Sequence, residues 1–137
     1  MKKIFIILGL ILAGFCSFAQ EEVNDGTEKI RDRMNEFIQR RLHLSNAEAQ
    51  KFTPVFLRYF KEWRTTIRDN KGDRLLLQQK VVDLRLRYRT EFREILGEKR
   101  GNLVYDQQEL FIREMREVGK QRMERRPLKN NKGLLLQ

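Results

Sequence analysis

A row of aromatic and aliphatic side chains between residues 52 and 67 constrains the fold of this chain more than any other feature. The row follows the spacing of one helix face, and its members are Phe52, Val55, Phe56, Tyr59, Phe60, Trp63 and Ile67. A helix face with this many aromatic side chains is stable in water only when other helices cover it. We therefore expect the row to lie in the core of an all-α fold. Pro54 interrupts the row without shifting its phase, so we expect this helix to bend there rather than to break.

A reciprocal capping box marks the start of this helix. The segment Leu44-Ser45-Asn46-Ala47-Glu48 allows Ser45 to accept a hydrogen bond from the amide of residue 48, and Glu48 to accept one from the amide of residue 45. We therefore place the helix start directly after Ser45.

Three further helices are predicted, over about residues 27–42, 74–96 and 102–125, each with an inward row at helical spacing. The rows are Ile30, Met34, Phe37, Ile38 and Leu42; Leu77, Val81, Leu84, Tyr88, Phe92 and Ile95; and Leu103, Val104, Leu110, Phe111, Met115 and Val118. The links at residues 69–73 and 97–101 are short and contain glycine, which favours antiparallel neighbours. We expect about four helices that form an antiparallel helical hairpin or curved bundle.

The third helix carries a second apolar flank, formed by Leu75, Val82 and Leu86. A single hairpin of this size does not cover both this flank and the aromatic row, so we expect a homodimer in which a second copy covers part of the apolar surface.

The first nineteen residues have the pattern of a secretory signal peptide. Lys2 and Lys3 precede an apolar run too short to span a bilayer, and small residues at positions 17 and 19 predict cleavage after Ala19. Two alternatives stay open: a lipid anchor at Cys16, which Phe15 disfavours, and an uncleaved membrane anchor. The predicted mature protein is periplasmic.

The rest of the chain divides into a flexible leader at residues 20–26, a single all-helical domain at 27–126 and a flexible tail at 127–137. The tail contains Leu134-Leu135-Leu136, which is either a docking element or, as we favour, a frayed terminus.

The charge balance restricts the partners. Without Lys2 and Lys3, the 29 basic residues become 27 against 19 acidic ones, a net charge of +8. Export argues against nucleic acid as the partner, which leaves anionic membrane surfaces, lipopolysaccharide-like polyanions, and acidic or unfolded polypeptides. Solubility alone is a further explanation of the excess.

Residues for catalysis or metal binding are scarce. The only cysteine, Cys16, lies in the predicted signal peptide, and the only histidine, His43, lies between two leucines at a helix junction. No nucleophile elbow, phosphate-binding loop or zinc-binding helix motif occurs. We expect neither an enzyme nor a bound metal or cofactor, and we interpret His43 as a hinge residue.

Two sets of basic residues are candidates for binding clients or partners. Arg85, Arg89 and Arg93 recur every four residues on the third helix. The second helix carries the other set: Lys51, Arg58, Lys61, Arg64 and Arg68. Next to apolar rows, such residues suit an amphipathic or acidic polypeptide, although a purely solvated face is an equal alternative.

The signal peptide, the Leu44–Glu48 box and the helical hairpin together resemble the Spy/CpxP family of small periplasmic proteins with LTXXQ motifs, of the type found in Bacteroidetes. Glu48 stands where the family usually has glutamine, and a second box at residues 96–100 keeps only its leucine. The resemblance implies a curved homodimer whose basic concave face shields unfolded envelope proteins without ATP.

Two functions therefore remain open. One is a holdase-type chaperone for unfolded envelope proteins in envelope stress. The alternative is a regulatory sensor or partner of a membrane stress-signalling or extracytoplasmic-function sigma-factor pathway.

Overall fold

The structure, a computed structural model, describes residues 25–126. The predicted signal peptide, most of the predicted leader, and the tail with Leu134-Leu135-Leu136 lie outside the described residues. Three α-helical elements follow one another: α1 (Asp25–Arg41), α2 (Asn46–Asn70) and α3 (Arg74–Glu124), and α3 is interrupted at Gly97. The described part of the chain thus forms four helices without a strand, which confirms the all-α bundle.

The interruption at Gly97 folds α3 back on itself. Gly97 has φ 79° and ψ 163°, a backbone conformation that is essentially restricted to glycine. We call residues 74–96 the first arm and residues 98–124 the second arm. Arg93 of the first arm donates a hydrogen bond to Asn102 of the second at 2.8 Å, and Tyr105 Oη donates one to the carbonyl of Arg85 at 2.6 Å. Contacts at these positions require antiparallel arms.

A second glycine lets the arms meet closely. A Cβ at Gly101 would lie 2.7 Å from Arg93 Cα and 2.8 Å from Arg93 N, shorter than real carbon contacts allow. The absence of a side chain at Gly101 therefore sets the distance between the two backbones just after the turn.

The aromatic row of α2 forms the centre of the core. Five of its members are buried, namely Phe52, Val55, Phe56, Tyr59 and Phe60, while Trp63 and Ile67 at its C-terminal end are half-buried. Tyr59 packs against both arms of α3, with ring centroids 5.5 Å from Tyr88 and 5.6 Å from Tyr105. The prediction that the row is core is confirmed, and α2 is continuous across Pro54.

The second arm of α3 packs antiparallel to α1. The rings of Phe37 and Phe111 meet edge to face at 5.4 Å, and one turn further along Arg41 donates a hydrogen bond to Gln107 at 3.2 Å. Inside the bundle, Tyr59 donates a buried hydrogen bond of 2.6 Å to the side-chain oxygen of Gln108. This bond fixes the register of the second arm against α2.

Some sequence expectations were wrong. α1 begins at Asp25, not at Thr27, and only Gly97 of the predicted link at 97–101 leaves the helical conformation. Ile30, Met115 and Val118 were expected to face inward but are exposed at 42%, 38% and 42%. The helical period identifies the inward side of a helix, but it does not say how far along that side neighbouring helices extend.

Candidate functional site

One end of the bundle contains the loop and capping box at residues 42–48 and the turn of α3 at residues 96–101, and we call it the clamped end. The amide of Glu48 donates to Ser45 Oγ at 3.2 Å, and the amide of Ser45 donates to Glu48 Oε2 at 3.0 Å, so the predicted box is confirmed. Leu44 packs against the core beside it. The box fixes the start of α2.

Arg100 connects this box to the turn of α3. Its guanidinium donates to both carboxylate oxygens of Glu48, with 3.0 Å between Nη1 and Oε2, and its Nε donates to the carbonyl of Leu96 at 3.1 Å. Hydrogen bonds from Arg100 and from the Ser45 amide lower the pKa of the Glu48 carboxyl to about 2. Nη1 also points to the carbonyl of Leu42, at 3.5 Å. One side chain thus joins the end of α1, the start of α2 and the turn of α3.

The loop between α1 and α2 completes the clamped end. His43 has φ 52°, the amide of Leu44 donates to the carbonyl of Gln39 at 3.0 Å, and the amide of His43 donates to that of Arg40 at 3.2 Å. This is a Schellman motif with histidine at the left-handed position that glycine usually occupies. The exposed His43 therefore lies at a turn, and its role as a hinge residue stays a prediction.

The basic row of the first arm is not uniform. Arg85 is 23% exposed, pairs with Glu109 at 2.8 Å, and lies over the ring of Tyr105 at 5.3 Å. Arg93 donates to Asn102 and lies 3.8 Å from Glu98. Within residues 25–126, Arg89 is exposed and has no acidic partner. Arg85 and Arg93 hold the arms together, whereas Arg89 is the member of the row without a hydrogen bond or ion pair to the other arm in this range.

The basic residues of α2 also divide into paired and unpaired ones. Arg58 forms an ion pair with Glu91 at 2.6 Å, Arg64 donates to Thr27 at 3.4 Å, and Arg68 contacts Asp69 at 3.0 Å. Lys51 and Lys61 are exposed without an acidic partner in the described part of the chain. The sequence identified these cations, but it could not show that Arg58 joins two helices.

An exposed apolar surface lies next to Arg89. Leu75 is 77% exposed, Val82 52% and Leu86 48%. Spacings of seven and four residues place them on one face of the first arm, and Arg89, three residues beyond Leu86, shares that face. We call Leu75, Val82, Leu86 and Arg89 the first-arm stripe. It combines exposed apolar area with an unpaired cation, so it is the candidate binding surface.

Among residues 25–126, no three His, Asp or Glu side chains lie close enough together to hold a metal ion. In the same range, no helix is both long and apolar enough to cross a bilayer.

Comparison with models of protein families, with curated proteins and with solved structures finds no match for this chain. The Spy/CpxP resemblance is therefore carried by the motif and the helical pattern of this sequence alone.

Proposed function

We propose that this protein is an exported, periplasmic, ATP-independent holdase-type chaperone of the Spy/CpxP kind, which binds unfolded envelope proteins during envelope stress. The signal-peptide pattern supports export, and the capping box at Leu44–Glu48 supports the family assignment. The activity requires a surface rather than a catalytic centre.

The first-arm stripe is the observation that carries the proposal. Apolar side chains left exposed on a folded helix gain free energy when they cover apolar segments of another chain, by about 25 cal/mol per Å² of area removed from water. Arg89 next to them attracts acidic segments over roughly 10 Å at 0.1 M ionic strength. A surface that combines both attractions suits unfolded polypeptides of varied sequence.

An aggregation-suppression assay with several unrelated clients tests the proposal. We expect the triple variant Leu75→Ser, Val82→Ser and Leu86→Ser to lose most of its protection, because it removes the apolar contacts. The matched control replaces the exposed Gln78, Gln79 and Thr90 of the same arm by serine and should protect as the parent does. If both variants protect clients as well as the parent does, with helix content unchanged by circular dichroism, the result would contradict the role of the stripe.

Arg89 provides a separate test of charge. Arg89→Gln should slow client association at low salt and have little effect at high salt, because salt screens exposed charges. Arg85 and Arg93 are unsuitable for this test, since their replacement also removes contacts between the arms. An association rate that does not depend on residue 89 at any salt concentration makes Arg89 a solvated residue only.

The narrowness of the stripe favours a second candidate function. Three apolar side chains along one helix face match a single amphipathic helix, which is how dedicated helical partners are recognised. The alternative proposal is therefore a regulatory partner in a membrane stress-signalling or sigma-factor pathway. Protection of many unrelated clients supports the chaperone, whereas tight binding of one partner without general protection supports the regulator.

Export and the homodimer belong to the same proposal. The intact mass of the exported protein should begin at Gln20, whereas a retained, lipidated Cys16 would move it to a membrane. Light scattering at micromolar concentration should give a dimer in which a second copy covers the exposed flank of the first arm, and a client that binds the stripe should displace that copy. A monomer would leave that flank open and count against the family assignment.

A further inference from the structure

The second arm of α3 ends in a segment that no other helix covers. Every residue from Arg113 to Arg126 is exposed, whereas Phe111, two positions earlier, is buried against Phe37 of α1. We call residues 113–126 the projecting end. It lies at the opposite end of the bundle from the turn at Gly97.

The projecting end concentrates positive charge. Its 14 residues include six basic ones against the three acids Glu114, Glu117 and Glu124, a net charge of +3. The basic residues are Arg113, Arg116, Lys120, Arg122, Arg125 and Arg126. The other 88 described residues have 19 basic and 14 acidic residues, a net charge of +5, so the positive charge per residue is several times higher at this end.

Most of these cations have no counter-charge. Lys120 pairs with Glu117 at 3.0 Å. None of the five arginines of the projecting end forms an ion pair with another residue in the range 25–126. The three of these arginines within α3 point in different directions around the helix axis, and the other two follow the end of the helix, so the five do not line one groove. They therefore create a broad positive field, not a fork for a single carboxylate.

An apolar edge lies beside this field. Met115 and Val118 continue the inward row of Phe111 at spacings of four and three residues, but they are 38% and 42% exposed. Ile30 of α1 is 42% exposed and lies two turns before Phe37, as Val118 lies two turns after Phe111. Since α1 and the second arm are antiparallel, Ile30 and Val118 lie at the same level of the bundle.

We propose that the projecting end attaches the protein to an anionic lipid bilayer, with its cations at the headgroups and Met115, Val118 and Ile30 at the interface. Clusters of four to eight Lys and Arg on a helix with an apolar side are the pattern that binds anionic membranes. Each such cation increases partitioning onto an anionic surface by about fivefold. An acidic polypeptide is the weaker match, because Ile30 lies on α1 and Met115 and Val118 on α3, so they form no continuous row along one helix face like the first-arm stripe.

Co-sedimentation of the full chain with vesicles tests this site. The probes are vesicles of equal parts phosphatidylglycerol and phosphatidylcholine, and vesicles of phosphatidylcholine alone. The test variant replaces Arg113, Arg116, Arg122 and Arg125 by glutamine. The control replaces the exposed Arg40, Lys51, Lys61 and Lys99 by glutamine, which removes the same charge elsewhere. Parent and variants share the apolar N-terminal run, so its contribution to lipid binding is common to all three.

The parent and the control should bind the phosphatidylglycerol vesicles, and the test variant should bind them at least about tenfold more weakly. Equal losses in the two variants would overturn the site in favour of net charge alone. Binding that does not depend on phosphatidylglycerol would overturn the proposal, and so would a preference of the projecting end for polyglutamate over vesicles. The test variant should still suppress aggregation, because it leaves the first-arm stripe intact.

Discussion

At the clamped end of the bundle, hydrogen bonds join three chain segments. At the opposite end, apolar side chains are exposed to solvent. Arg100 at the first end contacts Glu48, Leu96 and Leu42. At the second end, Leu75 and Val118 are 77% and 42% exposed. The comparison indicates that hydrogen bonds between chain segments maintain the fold at one end, while the other end presents exposed apolar and basic surface.

The two ends also differ in whether their positive charges are paired. At the clamped end Arg100 pairs with Glu48, and beside the core Arg58 of α2 pairs with Glu91 of the first arm. The arginines of the projecting end have no such partners among residues 25–126. Ion pairs thus join helices at the clamped end and beside the core, whereas most cations of the projecting end are exposed without a counter-charge among the described residues.

Replacement of a glycine by alanine should change the free energy of unfolding in opposite directions at the two ends, and this is the largest difference we expect. At Gly101 a Cβ would clash with the backbone of Arg93, so Gly101→Ala should lower the free energy of unfolding by about 3 kcal/mol. At Gly119 in the projecting end the added Cβ would meet nothing within 4 Å beyond its chain neighbours and the adjacent backbone of its own helix, so Gly119→Ala should raise the free energy of unfolding by about 0.5–1 kcal/mol. Urea unfolding of the two variants measures both. Similar effects at the two sites would show that the ends are not packed differently.

How much of this contrast the sequence predicts depends on the kind of feature. The period of the rows predicts four helices, and the glycine at position 97 predicts the turn, because both are local signals. The capping box at Ser45 and Glu48 is local as well. The sequence does not reveal that Arg100 reaches Glu48, since the two residues are 52 positions apart and meet only in the folded bundle. The sequence also does not predict that Met115 is exposed, because exposure depends on how the helices pack in the folded bundle.

Glu48 at the clamped end should make the free energy of unfolding depend on pH. The pKa of Glu48 falls to about 2 in the folded protein, below its usual value near 4.5, so its contribution is present above pH 4.5 and is lost as the pH falls towards 2. Glu48→Gln keeps an acceptor for the Ser45 amide but removes the charge that faces Arg100. The stability difference between parent and variant should therefore shrink between pH 5 and pH 2, which urea unfolding across that range measures. A difference that stays constant would mean that Glu48 titrates normally.

The turn between α1 and α2 should give the smallest effect. His43 occupies the left-handed region at φ 52°, which costs a non-glycine residue about 1 kcal/mol. Gly adopts this conformation freely but loses more backbone entropy on folding, so His43→Gly should stabilise the protein by about 0.5 kcal/mol or less. Thermal unfolding of the variant against the parent checks the sign. Destabilisation would show that the imidazole makes a contact that the Schellman geometry does not require.

In our proposal, partners bind the first-arm stripe while the clamped end keeps its structure. Hydrogen exchange of the protein alone and with an unfolded client tests this claim most directly, because exchange reports protection segment by segment. We expect the client to slow exchange in residues 75–89, while protection around residues 96–101 and the capping box at Ser45 stays unchanged. New protection confined to the clamped end, with none along residues 75–89, would contradict it.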